Sequence, residues 1–201
     1  MAKEITEGIG EEYYHHYPRI ATVITSSSEG KDNAMAAAWH MPISFVPPIF
    51  CVSISAKRCS HKMVMESGKF GVNFLPVDKA DIVAGVGATH GDEVDKFSLF
   101  KLDTEKETKL GVPVLKDAYA AYECKLIDSR FYGDHCLLVG EIMATHKLSE
   151  AFDEKGTLDF ANFYPVLYVG NDQYMAKDKC KLNYIDRAEC VKHYREGQIG
   201  G

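Results

Sequence analysis

Between residues 119 and 127 the chain alternates, with Tyr122, Cys124 and Leu126 set against Glu123 and Lys125. A period of two predicts a half-buried strand, the first set facing inward and the two charged side chains facing water. After a turn at Gly133-Asp134, residues 135–148 read as a long partner strand. Upstream, residues 20–28 are short and β-branched, a strand by the same reasoning. The turn-forming cluster 29–33 and a second strand within 34–45 complete a hairpin. Pro47-Pro48 interrupts the pattern, and residues 49–55 form the next strand. Residues 60–67 suit a short helix with Ser60 as N-cap and Gly68 just past its end. Residues 70–75 are a strand closed by Pro76, and 78–86 are helical. Residues 85–93 are glycine-rich and irregular, 101–115 are a charged connection, and 166–169 are a further short strand. Six or seven strands grouped in hairpins, without β-α-β alternation, predict a mainly β protein with peripheral helices, its antiparallel sheet closed as a barrel.

Composition narrows the function. The 201 residues suffice for one domain with a real core, and no linker divides them. A net charge of −6 argues against bulk attraction to nucleic acid or to an anionic membrane, so any anion site must be local. No basic start followed by an apolar run marks the first 20 residues, and the apolar stretch 41–56 contains Pro42, Pro47 and Pro48. Neither a secretory signal nor a spanning helix is expected, and the natural setting is cytoplasmic. The six cysteines never form Cys-x-x-Cys, so free thiols are expected, with no metal site and no disulfide framework. Cys180, Cys190 and His193 are the one conceivable ligand group, in a tail whose charges alternate from residue 177 onward as in a surface helix or arm.

Four stretches carry candidate chemistry. The first is SISAKRCSHK, residues 53–62, which gathers Ser53, Ser55, Lys57, Arg58, Ser60, His61 and Lys62 in an acidic chain. Hydroxyls and cations at the junction of a strand end and a helix start suit a phosphate, which meets unpaired N–H groups there. A capped helix with solvated cations fits the same residues. The second is AMAAAWHMP, residues 34–42. Its alanines give a strand of low relief, either a bed for a flat aromatic ligand or a close-packing face, and the only tryptophan, Trp39, follows. The third, GVGATHGDEVDKF at residues 85–97, fails as a dinucleotide fingerprint because a helix precedes it. It reads as a loop able to close over a ligand, or as a connector. The fourth, GDHCLLVGEI at residues 133–142, carries His135 and an interrupting Gly140 that suggests a bulge or close backbone approach. No Ser-His-Asp set, paired carboxylates or His-Glu-x-x-His is present, so no side chain is assigned a catalytic role.

Taken in order, Asn33 with the alanine strand, PISFVPP, CVSISAKRCSH, SGKFGVNFLP, EVDKF, GDHCLLVGEI and PVLYVGNDQY resemble the flavin reductase-like, FMN-binding split-barrel family, including flavoredoxin and archaeal FMN-binding and ferric reductase proteins. The resemblance spans about residues 15–175. It implies an antiparallel Greek-key split barrel, a homodimer, and FMN as cofactor; the split-barrel domain is set at residues 1–176, and the charged extension 177–201 lies outside the matched part. It implies that Met35, Ala36, Ala37, Ala38 and Trp39 contact the flavin ring. Ser53, Ile54, Ser55, Ala56, Lys57, Arg58, Cys59 and Ser60 would wrap the ribityl chain and phosphate. Thr89, His90, Gly91 and Lys96 match further FMN contacts, while Asn33, His61, Asn73, Phe97 and His135 are looser candidates. The implied activity passes electrons from NAD(P)H through FMN to flavin, ferric iron or a redox protein. The alternative is a non-enzymatic, flavoredoxin-like carrier. Alanine at 37 and 38, where the family often has Thr or Ser, shifts ring hydrogen bonds toward the backbone.

Overall fold

Glu29 and Gly30, both at positive φ (51° and 74°), turn the chain between its first two long strands. That geometry suits a two-residue hairpin, whose twist matches the flanking strands. The computed structural model describes residues 3, 5, 7–9 and 13–175. The predicted C-terminal arm, with Cys180, Cys190 and His193, lies outside them.

The strands are β1 (Arg19–Ile20), β2 (Thr22–Ser28), β3 (Lys31–Ala37), β4 (His40–Phe45), β5 (Pro48–Ser55), β6 (Lys69–Phe74), β7 (Ala120–Tyr132), β8 (His135–Lys147), β9 (Leu167–Gly170) and β10 (Gln173–Tyr174). The helices are α1 (Cys59–Ser67), α2 (Ala80–Ala88) and α3 (Lys96–Leu99). The main sheet runs β3-β2-β6-β7-β8-β5-β4, with every neighbouring pair antiparallel. Its two edge strands are consecutive in the chain, joined only by Ala38 and Trp39. The Ser53 N–H donates to the Trp39 carbonyl at 2.8 Å, tying that link to β5 and curling the sheet on itself. A small β1-β9-β10 sheet lies alongside.

Ile24, Phe50, Val52, Ile54, Phe70, Val72 and Leu138 fill the barrel, with Val64 of α1 plugging it. Val23, Ala34, Leu75, Val83, Val86 and Leu115 form a second core beneath α2. The predicted strand 34–45 is two strands, and the predicted hairpin turn shrinks to Glu29-Gly30. Helix α2 runs on through Gly85 and Gly87 to Ala88, so the glycine-rich stretch begins helical and is irregular only from Thr89 onward. Its glycines serve contact: a Cβ on Gly87 would meet the Ala36 methyl at 3.1 Å, and one on Gly85 would strike the Phe100 ring. The short α3 and β10 escape a reading by periodicity because neither completes two periods.

The alternation along β7 holds for Tyr122, Cys124 and Leu126, which face the barrel core. Glu123, expected in solvent, is fully buried. The charged connection covers that face of β7, and the Glu123 carboxylate accepts from the N–H groups of Lys109 (2.8 Å) and Leu110 (2.5 Å) and lies 2.8 Å from His146 Nε2. The thiols of Cys51, Cys59, Cys124 and Cys136 are free, as expected. Burial pushes Cys124 up to about 12, so it packs as a small hydrophobe. Among the described residues no helix is long and apolar enough to cross a membrane, and no cluster of His, Cys, Asp or Glu could hold a metal ion.

Candidate functional site

The site grows from the open edge of β3. Lys96 Nζ donates to the Ala34 carbonyl at 2.8 Å, so the polar groups of Ala34 point away from β2. In an antiparallel ladder residues alternate in direction, which leaves the backbone of Ala36 and Ala38 on the same free edge. The side chains of Ala34 and Ala37 are buried in the two cores, while Met35 and Ala36 stay half-exposed. Small residues thus give a low wall with unpaired backbone donors and acceptors.

A cavity of about 650 Å³ opens on this edge. Met35, Ala36, Ala37, Ala38, Trp39, Ser53, Ile54, Ser55, Lys57, Arg58 and His90 line it, all sequence-predicted. Ile54 is 1% exposed with its side chain in the barrel core, so only its backbone is offered there. A narrower recess of about 50 Å³ is lined by Arg58, Cys59, Ser60, Thr89, His90, Gly91, Lys96 and Asn33. The two share Met35, Ala36, Arg58 and His90 and so adjoin. Of the residues expected to contact the ring, the chain or the phosphate, only Ala56 lines neither.

Several of these residues take roles the sequence did not suggest. Ser60 is not the helix cap. Arg58 occupies that position with extended backbone and no capping side chain; its carbonyl takes the His61 N–H at 3.0 Å, and the N–H groups of Cys59 and Ser60 have no side-chain cap. Ser60 is instead 1% exposed, its Oγ hydrogen-bonded to Asn33 Nδ2 at 2.8 Å. Asn33 is 3% exposed and its Oδ1 has no partner. A Cβ on Gly91 would strike that amide, so the chain closes the recess only with glycine there. Lys96 is a buried staple: its Nζ also donates to the Val86 carbonyl at 2.8 Å, and burial, aided by the Arg58 charge, lowers its pKa. Two of three ammonium donors are used, leaving one for the recess. Thr89 Oγ1 donates back to the Gly85 carbonyl at 3.0 Å and closes the last turn of α2.

Among the looser candidates, Asn33 and His135 line the cavities. Asn73 lines neither, because its amide binds the Val23 carbonyl, Thr25 Oγ1 and the Leu115 N–H and so locks the barrel wall. His61 packs on Phe131, and Phe97 packs in the second core. Sequence reasoning missed Tyr14, Tyr17 and Tyr168, which line the larger cavity. The aromatic density of YYHHY at residues 13–17 was the available signal.

A buried amide, an uncapped helix start, the cations Lys57, Arg58 and Lys96 and a flat strand edge meet at two adjoining cavities, and residues 14–176 match the flavin reductase-like domain. The chain belongs to the flavin reductase-like family. An FMN-binding protein from Thermus thermophilus, solved with bound cyclohex-2-enone, is 34% identical and superposes with a TM-score of 0.79 over 87% of this chain and 95% of its own. An NAD(P)H ferric-chelate reductase of Archaeoglobus fulgidus is 29% identical over 64% of this chain and 76% of its own. An uncharacterized Aeropyrum pernix protein is 34% identical over 77% of this chain, and the match spans only 58% of that longer protein. Family and neighbours together support flavin binding and the split-barrel fold.

Proposed function

We propose that this flavin reductase-like protein binds FMN and acts as an oxidoreductase, passing electrons from NAD(P)H to flavin, ferric iron or a redox partner. The observation that carries the reading is the buried Asn33 amide. It lies in a recess lined by Arg58, Ser60 and Lys96 and continuous with the alanine-walled cavity. A polar atom buried without a partner is costly, so its retention points to a ligand that completes it.

In this reading the recess takes the phosphate. Arg58 supplies charge and a planar donor pair, the first turn of α1 supplies N–H groups, and Lys96 holds β3 against α2 so that the recess keeps its shape. Ser53, Ser55 and Lys57 line the path of the polyol chain. The free backbone edge at Ala36 and Ala38 meets the heteroatoms of the ring. Bound FMN would accept a hydride or electrons and release them singly or in pairs, so the protein needs no nucleophile of its own. Its residues bind, orient and shield.

Homodimer formation belongs to the same reading. The edge strand β4 and the turn after it expose Ile43, Phe45 (94%) and Val46 (92%) beside an apolar groove of about 840 Å³ walled by Phe50, Phe74 and Ile142. An apolar edge of this kind invites a second copy. A cytoplasmic setting, where NAD(P)H is supplied, fits this activity.

The test is the visible spectrum of the purified protein, followed by identification of the released cofactor and rapid-mixing reduction with NADH and NADPH. FMN release with reduction by either nucleotide is expected. Colourless protein that takes up no added FMN rejects the cofactor, and slow reduction by both nucleotides favours the carrier.

A further inference from the structure

The narrow recess is blind. Its walls come from β3, the start of α1, the end of α2, the residues that follow α2, and α3. It shares Met35, Ala36, Arg58 and His90 with the larger cavity, and these mark its mouth. At its floor Asn33, Ser60, Val86 and Lys96 are none of them more than 3% exposed. It holds about 50 Å³, against about 650 Å³ for the larger cavity. One wall is a short turn in which the Glu93 and Val94 N–H groups donate to the His90 carbonyl at 3.2 and 3.1 Å. The turn is pinned at both ends. Thr89 is bonded back to α2, and the Asp95 side chain caps α3 by accepting from the Ser98 N–H at 3.2 Å. Gly91 sets this turn directly on the floor. A Cβ there would overlap Asn33 Oδ1 and lie 2.6 Å from its Cγ and 2.9 Å from its Nδ2. The φ of Gly91 is outside the left-handed region, so the backbone itself does not require glycine. Only the missing side chain lets the turn reach Asn33.

We propose that Gly91 is a specificity-determining residue: by closing the recess on Asn33 it admits a phosphate that ends a chain and excludes a phosphate esterified on both sides. The inference rests on the reading of this recess as the phosphate site, and what it adds is the exclusion of FAD and the residue responsible. A terminal phosphate needs one entry. A dinucleotide carries a second chain beyond its first phosphate, and that chain needs an exit, which the buried floor does not offer. Leaving by the mouth would put both chains between Arg58 and His90. Charge points the same way. A phosphate monoester carries nearly two negative charges at neutral pH and presents three terminal oxygens. Arg58, the unused Lys96 donor and the Asn33 amide gather at that point. In a dinucleotide one of those oxygens is a bridging atom and the charge on that phosphate is only one. Gly91 therefore acts by shape, through the wall it forms, and touches no reacting atom.

The experiment is calorimetric titration of the flavin-free full chain with FMN, FAD and riboflavin. Wild-type protein should bind FMN about 10- to 100-fold more tightly than FAD, since an excluded phosphate forfeits at least one charge-assisted hydrogen bond. Gly91→Ala pushes the turn off Asn33 and opens the recess. FMN affinity should fall and FAD affinity hold or rise, so that the preference shrinks by about 10-fold, while riboflavin binding reports that the variant is folded. FAD bound as tightly as FMN by the wild type, or a preference that folded Gly91→Ala keeps in full, overturns the proposal. The phosphorus magnetic resonance of FMN bound to wild-type protein gives a second readout that needs no variant. A soluble gadolinium chelate that broadens the signal of free FMN should leave the bound signal sharp, and equal broadening refutes the closed recess. Protein that binds none of the three flavins rejects the FMN reading and this inference together, whereas equal affinity for FMN and FAD overturns this inference alone.

Discussion

Asn33 Nδ2 donates to Ser60 Oγ at 2.8 Å, and this bond joins the start of β3 to the first turn of α1 at the recess proposed for the phosphate. In this orientation Asn33 Oδ1 is a buried acceptor without a donor. Turning the amide lets Ser60 donate to Oδ1 and points the NH₂ at the recess, which removes the orphan whenever an anion is present. Asn33→Asp keeps the shape and substitutes a carboxylate facing that anion. We expect FMN affinity to fall at least about 100-fold, while riboflavin, which lacks the phosphate, loses little. Quenching of flavin fluorescence on binding measures both. Equal losses for the two ligands would mean that the variant disturbs the fold and not the phosphate.

Arg58 is the N-cap of α1 and lines both cavities. Arg58→Ala removes a charge-assisted hydrogen bond worth about 1.5–3 kcal/mol, or roughly a 10- to 100-fold loss of FMN affinity. Arg58→Lys should recover only part of this, because an ammonium cannot present the planar donor pair. An unchanged dissociation constant for the alanine variant would assign the phosphate to the helix N–H groups, Asn33 and Lys96.

The sequence made the barrel and most of the site readable for identifiable reasons. Strand alternation, the Gly133 turn and the Gly68 helix end are local signals, and all appear where expected. The SISAKRCS cluster concentrates donors that an acidic chain does not gather by chance, and it lines the cavity. What local signals cannot carry is the partner of a side chain distant in sequence. Ser60 reads as a cap because serine favours that position, yet its hydroxyl meets Asn33, 27 residues away. Lys96 reads as a ligand contact and Glu123 as a surface charge. Both are buried because other segments fold over them, Lys96 between β3 and α2 and Glu123 beneath the 101–115 connection. Tyr17 looks like one aromatic among several until the fold sets the Trp39 indole against its hydroxyl.

Phe45, 94% exposed at the end of an edge strand, tests the proposed dimer. Phe45→Glu places a charge on the apolar edge, where a second copy could not desolvate it. Light scattering should give a dimer mass for the wild type and a monomer mass for the variant. The side chain makes little contact within its own chain, so the fold should change by no more than about 0.5 kcal/mol. A dimer that survives the substitution would move the interface elsewhere.

Glu123 ties acid stability to the loop that covers β7. Burial by itself raises its pKa, but the N–H of Lys109, the His146 ring and the N–H of Leu110 outweigh it and hold the carboxyl below its ordinary value. A carboxyl with a depressed folded pKa contributes stability that is fully present above its unfolded pKa and is lost as pH falls through the folded value. The wild type should therefore lose denaturant stability on acidification below about pH 4, where an unperturbed glutamate titrates. Glu123→Gln keeps an acceptor but no charge, and should flatten that part of the profile. Glu123→Ala leaves two buried N–H groups and His146 without their acceptor and should cost about 3 kcal/mol at neutral pH. Chemical denaturation of the three proteins across the acid range measures each effect. A Gln variant as acid-sensitive as the wild type would show that another carboxylate governs the transition.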